Sequence, residues 1–171
     1  TDANPATDHW QPSLKYIEQH PDITELILSG GDPLTLTNAR LQALTNQLEN
    51  IDHLHTLRIH SRLPVVLPER IDEGLLAWLT TQHLRVVMVI HCNHANELNE
   101  ATGIALSRLK NAGVTLLNQA VLLAGVNDNS TTLKNLSERL FKFGVLPYYL
   151  HLLDKVQGAA HFDVHLDKES I

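Results

Sequence analysis

The sequence predicts an α/β fold, a partial (βα) barrel of parallel strands. Short apolar runs of strand length begin near residues 25, 56, 85, 115 and 146, a spacing of about 30 that suits repeated βα units. Helical periodicity fills the intervals. Every run ends in polar residues, as expected where one rim of a barrel carries a site. Such alternation implies a parallel sheet with right-handed crossovers. No Gly-x-Gly-x-x-Gly follows any run, which favours a barrel over a dinucleotide-binding open sheet.

In chain order, residues 1–9 read as a loop, and Trp10, Leu14 and Ile17 predict a helix with Pro12 in its first turn and Pro21 as its stop. Glu25–Ser29 is the first strand, ending on Gly30, Gly31, Asp32 and Pro33. Leu41, Leu44, Leu48 and Ile51 form the apolar stripe of a helix over about 38–50. Thr56–Ser61 is the second strand, followed by a loop with Pro64 and Pro68, then a helix marked by Ile71, Leu75, Leu76 and Leu79. Arg85–Ile90 is the third strand, apolar from Val86 onward as a strand covered on both faces should be. The next helix presents Leu98, Ala101, Ala105 and Leu109 and stops at Gly113. Val114–Leu123 holds a fourth strand, interrupted by Asn118-Gln119. A helix capped by Ser130 follows through Leu133, Leu136 and Leu140 to Gly144, and Val145–Leu152 is the fifth strand.

The 171 residues suffice for a single domain with a core, and 43% hydrophobic with 19% charged residues argues against disorder. A net charge of −6 disfavours a nucleic-acid surface. No basic run suggests a membrane surface, and the longest apolar run is too short to span a bilayer. Thr1–His9 lacks the apolar stretch of a signal peptide, and the single cysteine, Cys92, allows no internal disulfide. These features point to the cytoplasm. Five strands do not close an eight-stranded barrel, the first strand leaves an apolar edge, and Asp167–Ile171 reads as the start of another helix, so the chain is expected to be the interior of a longer protein. Exposed barrel edges favour self-association into a homo-oligomer.

The strand ends collect Ser29, Gly30, Gly31 and Asp32; His60, Ser61 and Arg62; His91, Asn93 and His94; Asn118 and Gln119; His151 and Asp154. Glycines there take positive φ and let a ligand approach bare backbone. Imidazoles and carboxylates there are also what a zinc-dependent barrel hydrolase would use, through His60, His91 and His151 with Asp32 and Asp154. A truncated scaffold domain without catalysis is the third reading.

The stretches Leu28-Ser29-Gly30-Gly31-Asp32-Pro33-Leu34, Arg58-Ile59-His60-Ser61-Arg62-Leu63-Pro64-Val65-Val66, His91-Cys92-Asn93-His94-Ala95-Asn96-Glu97, Gly113–Gln119, Leu122–Asp128 and Pro147–Asp154 resemble, in order, the lysine 2,3-aminomutase family of radical S-adenosylmethionine enzymes. The run from Tyr148 to His161 is most similar to the bacterial branch that makes β-lysine for elongation factor P. The resemblance implies a partial (βα)6 barrel. It implies a [4Fe–4S] cluster that cleaves S-adenosylmethionine to a 5′-deoxyadenosyl radical. It also implies lysine held as a pyridoxal phosphate imine, whose amino group migrates from C2 to C3. By position, Gly30, Gly31 and Asp32 resemble the double-glycine motif that meets the amino group of S-adenosylmethionine. Ser61, His91 and Gln119 resemble further contacts to it, and Asp154 resembles the aspartate that receives the lysine ε-ammonium. His151 stands where the family often has tyrosine. The family's Cys-x3-Cys-x2-Cys motif and the pyridoxal phosphate lysine have no counterpart in these residues; Lys155 and Lys168 do not match the latter. The chain alone is therefore expected to be inactive.

Overall fold

A computed structural model describes residues 10–153 and 162. Five strands, β1 (Glu25–Leu28), β2 (Thr56–Ser61), β3 (Arg85–His91), β4 (Thr115–Val121) and β5 (Leu146–His151), form one open sheet in sequence order, every neighbouring pair parallel. Six helices accompany them: α1 (Gln11–Glu18), α2 (Asn38–Leu48), α3 (Leu63–Val66), α4 (Glu73–Thr80), α5 (Glu100–Asn111) and α6 (Ser130–Lys142). The α/β class and parallel pairing agree with the expectation, and an open parallel sheet is compatible with part of a barrel. Among the described residues no helix is long and apolar enough to cross a membrane.

Alternation sorts the strands into two faces. Leu57, Ile59, Met88, Ile90, Leu116 and Ala120 join the helix stripes in one buried cluster. Leu41, Leu44, Leu48 and Ile51 are all buried there, as is Trp78, whose indole N–H donates to Thr45 Oγ1 at 3.2 Å. Glu25, Arg58, His60, Val87, Val89, His91 and Gln119 fall on the opposite face by alternation and register. Val87 and Val89 are buried on that side as well, which accounts for the continuously apolar β3.

Several local expectations are corrected. On α5, Ala101 is exposed, and the core stripe is Thr102, Ala105, Leu106 and Leu109, which continues the 3.6-residue period from Leu98. The cap of α6 is Asn129, whose side chain accepts from the Thr132 amide at 2.9 Å; Ser130 is the first helical residue. The Pro64–Pro68 stretch is α3 plus a 3₁₀ turn at Pro68–Arg70, because each proline sits in a first turn where no amide hydrogen is needed. β4 runs unbroken through Asn118-Gln119; instead, its pairing with β5 shifts there, Asn118 opposing Pro147 and Gln119 opposing Tyr149. Proline cannot donate to the ladder, and the skipped Tyr148 bulges.

The joints into β4 and β5 are matched Schellman stops. Gly113 (φ 84°) and Gly144 (φ 74°) donate to Lys110 O and Phe141 O, while Val114 and Val145 donate to Leu109 O and Leu140 O. A second repeat lies at the helix starts. The carbonyl just before the N-cap of α2, α4 and α5 (Leu36, Ile71 and Leu98) accepts from Arg70, Arg108 and Arg139 respectively. Arg139 donates to Leu98 O from both Nε (3.1 Å) and a terminal nitrogen (2.8 Å) and lies over the Phe143 ring. Replacing Arg139 by Ala should cost about 1–2 kcal/mol, and replacement by Lys somewhat less because Lys lacks the planar fork; urea unfolding of the two variants against the parent checks this.

Candidate functional site at the strand ends

The carboxyl ends of all five strands open on one rim, where the ladder stops and backbone groups need other partners. Asp32 meets this need between β1 and β2. Its Oδ1 accepts from Ser61 Oγ at 2.7 Å and from the Leu34 amide at 3.0 Å, and its Oδ2 accepts from the Arg62 amide at 2.7 Å. Ser61 is 2% exposed and its oxygen also accepts from the Leu63 amide at 3.1 Å. Beside this bridge Gly30 (φ 81°) and Gly31 (φ 56°) are exposed, and a Cβ on either would meet no atom within 4 Å. Crowding is therefore not what requires glycine here. Positive φ and open approach to the backbone are.

Between β3, β4 and the following loops the stitching is done by asparagines. Asn118 is buried, its amide nitrogen donating to Cys92 O and its oxygen accepting from the Cys92 amide, each at 3.0 Å. Asn118 thus extends the β3–β4 ladder on the helix side and does not face the rim, contrary to the expectation. Asn93 Oδ1 accepts from the Val121 amide at 2.8 Å. The buried Asn127 donates to Asn93 O and Val121 O at 2.9 Å each and accepts from the Leu123 amide at 2.7 Å. Asn127 was not among the expected residues; its place in a Gly-Val-Asn-Asp turn is the signal that marks it. Glu97 Oε1 accepts from the Asn93 and His94 amides at 2.7 Å, and His94 Nδ1 accepts from the Asn96 amide. Asn93 and His94 are thereby loop fasteners.

What faces the open side is a set of polar rings and amides. His91 and Gln119 are register partners, and the His60 and His91 rings meet edge to face with centroids 6.0 Å apart. Burial, then the Arg58 charge, pushes the His60 pKa down, while the Gln119 amide beside it pushes the other way. Burial, with the charges of Arg62 and His60, also lowers that of His91. Both shifts favour the neutral imidazole. His91 Nε2 is buried and has no hydrogen-bond partner among the described residues, which is where a ligand hydrogen bond would be made. Further down the same face Glu25 accepts from Arg58 at 2.9 Å, and the Tyr148 ring lies 5.9 Å from the Arg58 guanidinium. Tyr149 and His151 close the β5 side, their ring centroids 5.2 Å apart. Asp154 lies outside the described residues.

The structure thus brings Asp32 and Ser61 into contact and sets His91, Gln119 and His60 side by side. No group of three or more His, Cys, Asp or Glu among the described residues is placed to hold a metal ion, so the zinc hydrolase expectation finds no ligand set there. Cys92 is fully buried, and burial, with the Glu97 carboxylate, pushes its thiol up to about 12.

No family model matches the sequence. The chain is 54% identical over 160 residues to the L-lysine 2,3-aminomutase of Escherichia coli K12, an alignment spanning 94% of this chain and 47% of that protein. It is 53% identical to the Haemophilus influenzae protein of the same name (94% of this chain, 48% of the relative) and 40% identical to that of Clostridium subterminale (91% and 37%). Over nearly its whole length this chain is similar to proteins named L-lysine 2,3-aminomutase. It spans about half the length, or less, of these relatives.

Two outcomes follow from the rim. A histidine whose folded pKa is depressed takes up its proton in the unfolded chain first, so stability is present above pH 6.5, the ordinary value, and is lost as pH falls through the lower folded pKa. Urea unfolding between pH 8 and 5 should show this decline, and His60→Gln/His91→Gln should flatten it. Cys92 should resist a thiol reagent at pH 8 in the folded protein and react fully in urea; timed labelling read by mass spectrometry checks it.

Proposed function

We propose that this chain forms the central βα units of a longer radical S-adenosylmethionine enzyme, an L-lysine 2,3-aminomutase converting L-lysine to β-lysine, and that its strand-end rim binds S-adenosylmethionine. The observation that carries the reading is the 54% identity to the Escherichia coli L-lysine 2,3-aminomutase over 94% of the chain. When bound, S-adenosylmethionine beside a [4Fe–4S] cluster supplies radical chemistry for hydrogen abstraction, and pyridoxal phosphate supplies the electron sink for moving an amino group from C2 to C3.

The residues present suit the first of these groups. The open, positive-φ Gly30-Gly31 turn offers bare backbone acceptors to an ammonium. The unpartnered His91 Nε2 and the Gln119 amide offer hydrogen bonds to a nucleoside or methionine part, and neutral imidazoles do so without repelling a sulfonium. Val87 and Val89 keep the floor beneath them dry. Asp154 is proposed to hold the ε-ammonium of lysine. The cluster is a different matter: the one cysteine, Cys92, is buried with a thiol at about 12 and cannot supply the thiolates a cluster needs. We assign the cluster and the pyridoxal phosphate lysine to parts of the full-length protein outside this chain, which by itself is inactive on this reading.

The test uses the full-length gene product, reconstituted anaerobically with iron and sulfide and given pyridoxal phosphate. Conversion of L-lysine to β-lysine, followed by mass spectrometry and dependent on S-adenosylmethionine, is the expected result. A protein that binds a cluster yet leaves lysine unchanged and rearranges another amino acid would replace the substrate; one that binds no cluster would overturn the radical reading.

A further inference from the structure

We infer that Asp32 is a positioning residue. Its carboxylate fixes the double-glycine turn by bridging to Ser61 and the Arg62 amide across the β1–β2 ends, and neither Ser61 nor that carboxylate holds the cofactor. The inference rests on the rim being the S-adenosylmethionine site, and it replaces the sequence-based expectation that Ser61 is a cofactor contact.

The ladder between β1 and β2 ends at the pair Leu28–Ile59. Past that pair nothing in the sheet ties Ser29–Asp32 to its neighbour. Packing does not tie them either, since Gly30 and Gly31 have open space where a Cβ would sit. Two glycines at positive φ have many accessible conformations, so a single shape needs an external constraint. Asp32 supplies it at the carboxyl end of the turn, with three hydrogen bonds of 2.7–3.0 Å from Ser61 Oγ, Arg62 N and Leu34 N. The Pro33–Thr35 3₁₀ turn that follows is started by the same residue, whose backbone oxygen also accepts from Thr35 Oγ1 at 2.6 Å. Ser61 is spent in this arrangement. At 2% exposure it has its hydroxyl hydrogen on Asp32 and its oxygen facing the Leu63 amide. A serine so buried reaches a ligand only through Asp32.

The measurement is the dissociation constant of S-adenosylmethionine for the full-length, cluster-loaded protein, with the cluster EPR spectrum recorded at saturation. It is made on the parent, Ser61→Ala, Asp32→Asn and the double variant, at a temperature where circular dichroism shows all to be folded. Ser61→Ala should weaken binding by about tenfold, the effect of losing one hydrogen bond to a charged group. Asp32→Asn should weaken it at least as much, and the double variant should match Asp32→Asn alone, since both act on one bridge. Unchanged affinity in Ser61→Ala alongside loss in Asp32→Asn would mean that Asp32 touches the cofactor, and would overturn the inference. Lowered melting temperatures with unchanged affinity and EPR spectra in both would overturn it too, leaving the bridge a purely structural pin. A parent whose cluster spectrum does not respond to S-adenosylmethionine would instead overturn the underlying site reading, a result visible without any variant.

Discussion

A parallel sheet delivers every strand end and every βα loop to one edge, and it stops pairing there. The backbone groups just past each strand must then find partners among side chains or water. In this protein they find short polar side chains. Asp32 joins β1 to β2, Asn118 extends β3 against β4, and Asn93 and Asn127 bind the loops after β3 and β4 to each other. Asp32, Asn118 and Asn127 each satisfy two or more partners through their side chains and Asn93 one, which fastens the strand ends and loops to one another.

The same division of labour explains which polar residues remain available. Asp32, Ser61, Asn93, His94, Asn118 and Asn127 are occupied with the backbone. His60, His91 and Gln119, one strand face further in, are not committed in this way, and burial favours the uncharged form of the two imidazoles. On the proposed reading, fastened loops and the unpartnered His91 Nε2 would orient a cationic cofactor whose own chemistry does the work. On the outside, arginines from the elements that follow hold the carbonyls ahead of α2, α4 and α5, so helix starts and strand ends are each fixed to a neighbour.

Much of this was legible in the sequence, for identifiable reasons. The spacing of apolar runs, the Gly113 and Gly144 stops and the stripe of α2 depend on local periodicity and backbone freedom, which a sequence displays directly. Partnerships are not displayed. Asn118 in a strand looks like a break until its side chain is found on the Cys92 backbone, and nothing in the sequence shows that the Ser61 hydroxyl donates to Asp32. Alanine suits either side of a helix, so residue type alone does not show that Ala101 is exposed. The bulge at Tyr148 was invisible for a similar reason: Pro147 announces an irregularity but not which neighbour absorbs it. The family signal travelled further than the physical one, because it rests on order and identity along the chain and needs no knowledge of contacts.

The central claim is that the open strand-end rim is where this protein meets S-adenosylmethionine. Amide hydrogen exchange of the full-length protein, with and without S-adenosylmethionine, tests it most directly. The account predicts slowed exchange confined to peptides covering Ser29–Asp32, His91 and Gln119, with the helix faces unchanged. Protection that falls on the helix side of the sheet, or none at the rim while binding is otherwise demonstrated, would contradict it.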